Sequence, residues 1–166
     1  MLQRQDLLRS PMRGTALLIF VLLASPVLGQ EPPSPAEANK AVVRRYLEIL
    51  SGGDLAGLSE VVSPDFADRT PGAPRSKGPQ SIQETQRKAR ELFREIRYTL
   101  EDLVAEGDRV VARYIVRAHR SGKPVEVTGM TLFRIEGGKI REAWIVNDQI
   151  ELFRQLGYTL LPPSQK

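Results

Sequence analysis

The segment from Gly122 to Gly157 constrains the fold more than any other part of the chain. Apolar and polar residues alternate over Lys123–Ile135 and again over Lys139–Asn147, with a glycine-rich turn at 136–138 between the two runs. This alternation predicts two antiparallel strands that each bury one face. Asp148 follows the second run, and an acidic residue comes three positions later, a pattern that predicts the start of a helix. We therefore expect a β-hairpin followed directly by a short helix.

The beginning of the chain has the composition of an export signal. Three arginines precede an uncharged apolar run over Ala16–Ala24, and the small residue Gly29 stands where a signal peptidase would cleave. The run is shorter than the roughly 20 residues that a membrane-spanning helix needs. We predict that residues 1–29 are a signal peptide and that the protein is exported, periplasmic or extracellular, with no membrane contact after cleavage. An uncleaved anchor is the alternative, and either Met1 or Met12 is the true start.

Composition excludes several classes of protein. The formal charge is +4, and only +2 remains on the mature chain because three arginines and one aspartate lie in the predicted signal. Basic and acidic residues are mixed throughout, so we expect no nucleic-acid partner. The chain has no cysteine and a single histidine, His119, which excludes disulfides, thiolate chemistry and metal sites built from several histidines. A site for a hard cation made of carboxylates alone stays open.

Two helices are predicted after a short exposed leader over residues 30–34. Residues 34–37 have the form of a capping box with proline at the first helical position, and Gly52-Gly53 ends the helix that follows. Asp54 caps a second, short helix that runs to Val62.

Strands dominate the second half of the chain. A short strand or extended turn over Phe66–Thr70 and a loop over Pro71–Gly78 lead to a third helix, which begins at Pro79 and has Phe93 and Ile96 on its apolar face. Four strand-like runs follow: Arg97–Ala105, Arg109–His119, Lys123–Ile135 and Lys139–Asn147. Helices followed by an antiparallel meander predict an α+β fold in which helices cover one face of the sheet. Periodicity leaves open whether they enclose a pocket.

Three segments of this chain occur in an order that is informative. They are VVRRYLEILSGGDLAGLSEVVSPDFADRTPGAP at 42–74, YTLEDLVAEGDRVVARYIVRA at 98–118, and the hairpin and helix at 122–157. Together they resemble a SnoaL-like polyketide cyclase (ester cyclase) domain of the nuclear-transport-factor-2-like superfamily. The resemblance implies that residues 35–161 form a cone-shaped α+β barrel, with N-terminal helices packed on a curved antiparallel sheet, and that 162–166 are a tail. It also implies a small-molecule cavity and proton abstraction beside a carbonyl, with no metal and no cofactor.

The residues expected to carry that chemistry are replaced. Where the family usually has His-Trp-Asp on the last strand, this chain has Ala143-Trp144-Ile145, and Thr131 stands on the neighbouring strand where Asp or His is frequent. The usual Asp-His-Thr near the first strand appears as Asp68-Arg69-Thr70. Proton abstraction needs a base with a raised pKa and a group that stabilises the enolate. Alanine, isoleucine and threonine supply no such base.

The connection between the second and third long strands is also altered. Arg117 reaches Val125 through only AHRSGKP, where the family usually has a longer loop. We expect a tight turn here and a cavity mouth that is either more open or covered differently.

The remaining polar residues each have two interpretations. Asp68 is the candidate catalytic residue, either a base at the cavity rim or a carboxylate that forms a turn. Arg69 either binds an anionic group or pairs with Asp65 or Asp68. Asp148 is better explained as a helix cap than as an acid, and His119 as a surface residue than as a base. The candidates for ligand contact are Tyr46, Arg69, Thr131, Trp144, Ile145 and Asn147.

Three functions are compatible with these residues, because function resides in the site and not in the fold. The first is an exported protein whose cavity holds a small, largely apolar molecule and which lacks the cyclase acid/base groups. The second is a cofactor-independent enzyme of altered type, a cyclase, isomerase, hydrolase or dehydratase, that uses Asp68 and Arg69. The third is a homodimeric structural or interaction module that uses the outer face of the sheet.

Overall fold

The computed structural model describes residues 32–73, 77–159 and 161. Within them the elements are, in chain order, α1 (Pro35–Leu50), a 3-10 turn (Leu55–Gly57), α2 (Leu58–Val61), β1 (Val62–Asp68), α3 (Gly78–Leu92), β2 (Arg94–Glu106), β3 (Arg109–Arg120), β4 (Lys123–Glu136), β5 (Lys139–Asn147) and α4 (Gln149–Gln155). The predicted signal peptide, the first two residues of the leader and the tail at 162–166 lie outside the described residues. No helix in the described segments is long and apolar enough to cross a membrane.

Side-chain caps begin the helices where the sequence predicts them. The Ser34 Oγ accepts a hydrogen bond from the Glu37 backbone N–H at 3.3 Å, and Pro35 occupies the first turn of α1. The Asp54 Oδ1 accepts from the Ala56 N–H at 2.9 Å and starts the 3-10 turn. These caps satisfy backbone donors that have no partner inside a helix, which is why the local sequence predicts where α1 and the 3-10 turn start.

The sheet is mixed and does not close into a barrel. Its strand order is β1-β5-β4-β3-β2, so β1 and β2 are its two edges. Strands β2 to β5 form the predicted antiparallel meander, whereas β1 runs parallel to β5. The α+β class and the packing of helices on a curved sheet are confirmed. The expectation of a purely antiparallel sheet is corrected by β1.

Two element boundaries differ from the prediction. β1 starts at Val62 and includes Pro64, which an edge strand tolerates because one of its sides makes no ladder hydrogen bonds. α3 ends at Leu92, so Phe93 is its extended cap and Ile96 lies on β2. Glu95 has a φ of +56°, and the pairing of β2 with β3 is irregular there. Both predicted apolar residues still face the interior from their corrected positions.

α1 and the inner face of the sheet form the core between them. Large side chains that are almost fully buried include Val43, Ile49, Leu58, Phe133 and Ile140. The end of α1 is also tied to β2 by Ser51. Its Oγ accepts from the Tyr98 N–H at 2.9 Å and donates to the Leu47 carbonyl at 2.9 Å. This bond holds the inner end of β2 against the helix that faces it.

Candidate functional site

A cavity of about 350 Å³ lies between the helices and the concave face of the sheet. Its volume is within the range of small-molecule sites. The walls come from α1, α3, α4 and all the strands from β2 to β5. The lining residues are Tyr46, Leu47, Leu50, Thr85, Gln86, Ala89, Phe93, Ile96, Tyr98, Tyr114, Val116, Ala118, Val125, Val127, Thr131, Phe133, Ile145, Asn147, Gln149 and Leu152.

The lining among the described residues contains no Asp, Glu, His, Lys or Arg. Its polar groups are hydroxyls and carboxamides, which are uncharged. Over the same part of the chain, no group of three or more acidic or histidine side chains is placed to hold a metal ion. The cavity is therefore an apolar space with neutral hydrogen-bonding groups at selected points.

One set of these groups forms a chain of hydrogen bonds across three strands. The Tyr114 hydroxyl on β3 lies 2.9 Å from the Thr131 Oγ1 on β4 and donates to the Asn147 Oδ1 on β5 at 3.3 Å. Because the Tyr114 proton goes to Asn147, the Thr131 hydroxyl is the donor in the first bond. The carboxamide nitrogen of Asn147 keeps its two hydrogens for another partner. This face of the cavity thus offers a hydrogen-bond donor.

Gly129 makes this arrangement sterically possible. It pairs with Tyr114 on one side and with Asn147 on the other. A Cβ atom added at Gly129 would overlap the Asn147 Oδ1 and the Tyr114 ring. The missing side chain leaves the space in which the two neighbours meet.

Three tyrosines give the cavity its remaining hydroxyls. Burial raises the pKa of Tyr46, and Tyr98, Tyr114 and Asp68 raise it further. Burial also raises the pKa of Tyr98, partly opposed by the Gln86 side chain and the Arg90 charge. Burial raises the pKa of Tyr114 to about 12, partly opposed by the hydrogen bond with Thr131. All three are neutral donors near pH 7, and none is a base there.

Four of the predicted ligand contacts are brought together in this cavity. Tyr46, Thr131, Ile145 and Asn147 all line it. Thr131 and Ile145 lie directly opposite each other on β4 and β5, as the position of Thr131 on the neighbouring strand predicts. Tyr46 is buried and packs edge-on against Phe133, with ring centroids 5.5 Å apart.

Asp68 and Arg69, in contrast, do not form a joint site in the cavity. The Asp68 Oδ1 accepts from the Thr70 N–H at 2.8 Å, which is the turn-forming interpretation. Arg69 lies in a surface depression and donates from Nη2 to the Glu142 Oε1 at 2.6 Å. Its partner is therefore Glu142, and the predicted pairing with Asp65 or Asp68 is corrected. Adjacent residues at a strand end point to opposite sides, which separates the two side chains.

The predicted contact through Trp144 is also corrected. Trp144 lies between Ala143 and Ile145 on β5, and Ile145 faces the cavity. Because side chains alternate along a strand, Trp144 points to the outer face, where it lies opposite Leu132.

α4 and a tight turn lie at the end of β4 that borders the cavity. The predicted two-residue turn is confirmed, since Arg120 pairs with Lys123. The part of β4 that precedes Gly129 extends beyond the end of β5 and has no partner residue on that strand. The Gln155 carboxamide forms hydrogen bonds with this part of β4. It accepts from the Glu126 N–H and donates to the Glu126 carbonyl, both at 2.8 Å. α4 thus packs on this end of β4, and its Leu152 lines the cavity.

Two predictions about polar residues, Asp148 and His119, are confirmed. The Asp148 Oδ1 accepts from the Glu151 N–H at 2.9 Å, so Asp148 caps α4. The His119 side chain is 46% exposed and lies 3.3 Å from Glu95, as expected of a surface residue.

Sequence reasoning did not identify Gln86, Tyr98, Tyr114 or Gly129. The sequence does contain a pattern that indicates Tyr114. It follows Val110 and Ala112 at every second position of β3, and all three are buried on the inner face. Gln86 occupies the buried stripe of α3, where an apolar residue is expected. The contacts of Gly129 with Tyr114 and Asn147 depend on how three strands pair, so the sequence alone does not predict them.

Fold and cavity together define an α+β domain of the nuclear-transport-factor-2-like type. The family model for SnoaL-like polyketide cyclases matches residues 40–156. The chain belongs to the SnoaL-like polyketide cyclase family. No curated protein is significantly similar to it.

Solved structures support the same assignment. TsrD from Streptomyces laurentii is 25% identical, with a TM-score of 0.67 over 76% of this chain and 98% of TsrD. A SnoaL-like polyketide cyclase family protein from Jannaschia sp. CCS1 is 20% identical, with a TM-score of 0.67 over 80% of this chain and 100% of that one. An LEH-like epoxide hydrolase from M. tuberculosis is 16% identical, with a TM-score of 0.63 over 73% of this chain and 90% of the hydrolase. The last two likenesses concern the fold alone.

Substitution of Gly129 by alanine tests the steric basis of the hydrogen-bond chain. We expect Gly129→Ala to lower the free energy of unfolding in urea by about 1–3 kcal/mol, because the new methyl group displaces Tyr114 and Asn147. Thr128→Ala, one residue earlier on the exposed outer face, is the control and should change it by less than about 0.5 kcal/mol. Equal stability of the two variants would contradict the role assigned to Gly129.

The tyrosines predict a loss of stability at alkaline pH. An unfolded tyrosine loses its proton near pH 10.0, whereas Tyr114 in the folded state keeps it up to about 12. Between these values the unfolded state binds fewer protons, so the free energy of unfolding must fall as the pH rises. Urea titrations from pH 9 to 12 should show this fall in the free energy of unfolding. Tyr114→Phe should reduce the fall. Tyr158→Phe, which changes an exposed ring, is the control and should leave the fall unchanged. The same fall in the Tyr114→Phe protein would refute the assignment.

Proposed function

We propose that this chain is an exported SnoaL-like domain that binds a small, uncharged and largely apolar molecule and does not use the family's acid/base chemistry. The observation that carries the proposal is the cavity lining, which has twenty described residues and no ionisable carboxylate, imidazole, amine or guanidinium. Export is proposed from the sequence of residues 1–29.

An uncharged ligand is favoured by the electrostatics of the cavity. Transfer of an ionised group from water into an apolar site without a partner is strongly unfavourable. The salt bridges of the described residues lie on the protein surface, as between Arg69 and Glu142. A carboxylate or ammonium group in the cavity would meet only hydroxyls and carboxamides.

The same positions support the proposal that the domain does not catalyse proton abstraction. Ala143 is 1% exposed, and Ile145 presents only carbon atoms to the cavity. Thr131 is committed to Tyr114. The cavity tyrosines hold their protons near pH 7, and a useful base must be deprotonated there.

A pair of fluorescent probes tests the preference for an uncharged ligand. N-Phenyl-1-naphthylamine is neutral, and 8-anilinonaphthalene-1-sulfonate adds a sulfonate to the same skeleton. We expect the neutral probe to bind at least about tenfold more tightly, because the sulfonate would be desolvated without a cation. Leu152→Trp, which fills the cavity beneath α4, should weaken binding, and Phe153→Trp, on the exposed side of α4, should not. Equal or tighter binding of the sulfonate would contradict the proposal.

Asp68 carries the enzymatic alternative. Its charge contributes to the raised pKa of Tyr46, so it lies within electrostatic reach of the cavity wall. Asp68→Asn keeps an oxygen that can accept from Thr70 and removes the charge. Under the proposal it leaves probe binding unchanged. An activity on an epoxide or a polyketide ester that Asp68→Asn abolishes would establish the enzyme instead.

We also propose that the outer face of the sheet is a homodimer interface. Met130 and Val146 lie opposite each other there and are 47% and 71% exposed. Val111, Leu132 and Trp144 form the next apolar row. Exposed apolar side chains that lie together on a sheet face support an interaction site there. Light scattering should give a dimer that Val146→Asp converts to a monomer and Ile150→Asp on α4 does not, whereas a monomeric wild type would exclude the interface.

A further inference from the structure

A second depression, with a volume of about 380 Å³, lies on the outer face of the sheet, and charged side chains form most of its lining. It shares no described lining residue with the apolar cavity. The cations in its lining are Arg69, Lys77, Arg134 and Arg141, and the described carboxylates there are Asp65 and Glu142. Four cations against two carboxylates give the lining two positive charges in excess. The depression therefore has the opposite character to the neutral cavity.

Strand pairing places three of these charged residues in one row. Glu142 pairs with Arg134 on one side and with Ala67 on the other. Ala67 forms a further bridge with Lys77. Neighbouring strands lie about 4.8 Å apart, so Lys77 and Arg134 approach Glu142 from opposite sides. Ala67 has only a methyl group and leaves the space above it open, and Arg69, two residues later, lines the same depression.

A β-bulge directs Arg141 into the depression as well. Glu142 pairs with Arg134 on β4. The next pair joins Ile135 to Ile140, which leaves Arg141 as an extra residue on β5. In an unbroken strand the neighbours Arg141 and Glu142 would point to opposite faces, whereas here both line the depression. The irregular register thus adds a third guanidinium group to this face.

Glu142 holds two of the guanidinium groups in place. Its side chain is 15% exposed, and its Oε1 accepts from the Arg69 Nε at 3.0 Å and from the Arg69 Nη2 at 2.6 Å. Its Oε2 accepts from the Arg134 Nε at 2.6 Å. Glu136, outside the lining, accepts from the Arg134 Nη1 at 3.0 Å and reduces the excess charge around the depression from two to one. The Arg69 Nη1 and the Arg134 Nη2 have no hydrogen-bond acceptor among the described residues, so both remain available as donors.

Arg141 and Lys77 offer further donors. The Arg141 Nη1 donates to the Asp65 Oδ2 at 2.6 Å, and the Arg141 Nη2 has no acceptor within the described part of the chain. Lys77 is exposed, and none of the ion pairs between described residues around the depression includes it. The hydrogen bond from Arg141 lowers the pKa of Asp65, and the nearby Lys77 charge lowers it further. Three guanidinium groups and one ammonium group thus leave N–H donors around a single depression.

We propose that this depression binds the phosphate group of a small molecule, either a phosphate ester or inorganic phosphate. A phosphate group presents three acceptor oxygens, and arginine binds such oxygens with directed N–H donors. Arg69, Arg134 and Arg141 supply one available Nη group each. A carboxylate, with two oxygens, would leave one of these groups without a partner, and an uncharged molecule would leave the excess charge unbalanced. The site is independent of the proposed function, which concerns the cavity.

Isothermal titration calorimetry at pH 8 and constant ionic strength tests the proposal with phenyl phosphate, inorganic phosphate and benzenesulfonate. Phenyl phosphate is a dianion at pH 8, because the second pKa of a phosphate monoester is about 6. Benzenesulfonate has a similar shape and one charge fewer. Phenyl phosphate should bind about fivefold more tightly or better, as one further charge about 4 Å from a cation in water implies. Tighter binding of phenyl phosphate than of inorganic phosphate identifies an ester as the natural form, and the reverse order identifies the free anion.

Two substitutions in the depression should weaken the binding of phenyl phosphate. We expect Lys77→Gln and Arg141→Gln each to do so by about three- to tenfold, because each removes a cation. The Lys77 side chain makes no cap hydrogen bond to α3, so Lys77→Gln leaves the helix intact. Lys123→Gln is the matched control, because it removes the same charge from an exposed site at the opposite end of β4 from Arg134, and it should leave the affinity unchanged. Circular dichroism should show the wild-type fold in all three variants.

Three results would overturn the inference. The first is a wild type that binds no phosphate compound, or that binds benzenesulfonate as tightly as phenyl phosphate. The second is an equal loss of affinity in Lys77→Gln, Arg141→Gln and Lys123→Gln, because the protein would then respond to net charge alone. The third is an unchanged affinity in Lys77→Gln and Arg141→Gln together with a lower free energy of unfolding of Arg141→Gln in urea, which would give the cluster a structural role only. None of these results bears on the proposed function, because the cavity shares no described residue with the depression.

Discussion

The space left by the missing side chain of Gly129 makes room for the hydrogen-bond chain of Tyr114, Thr131 and Asn147. It allows Tyr114 and Asn147, which flank it on β3 and β5, to meet above β4. Their hydrogen bond, with the one from Thr131, links three strands through side chains as well as through the backbone. A methyl group here would push the three polar groups apart. They would then need other partners in a space lined mainly by carbon.

Charge is distributed unequally between the two faces of the sheet. On the outer face, the Glu142 carboxylate accepts from Arg134 at 2.6 Å and from Arg69 at 2.6 Å, and these hydrogen bonds lower its pKa. On the inner face, the lining within the described residues carries only neutral groups. Because β-strand side chains alternate, a single strand such as β5 supplies Glu142 to one environment and Ala143 to the other. Ala143 and Ile145 are the apolar residues of β5 on this inner face.

The features that the sequence predicts are those set by local contacts. Ser34, Asp54 and Asp148 cap helices within three residues of themselves, and the turn at Ser121-Gly122 depends only on its own backbone. The parallel position of β1 depends on a contact with β5 about 75 residues later along the chain, as in the pairing of Asp68 with Ala143. That Gln86 and Tyr114 line one cavity follows only from the arrangement of α3 and the strands in space, which the sequence alone does not give. The resemblance to the family's Asp-His-Thr motif predicts a joint site of Asp68 and Arg69, and the alternation of an extended chain separates them.

Native mass spectrometry on protein purified from its own compartment is the sharpest test of an uncharged ligand in the cavity. The instrument would release and identify any small molecule that stays in the cavity through purification. We expect an uncharged compound with an apolar skeleton, released by Leu152→Trp but retained by Phe153→Trp. A retained carboxylate, phosphate or amine that Leu152→Trp displaces would contradict it, because the lining described here has no charge to balance one.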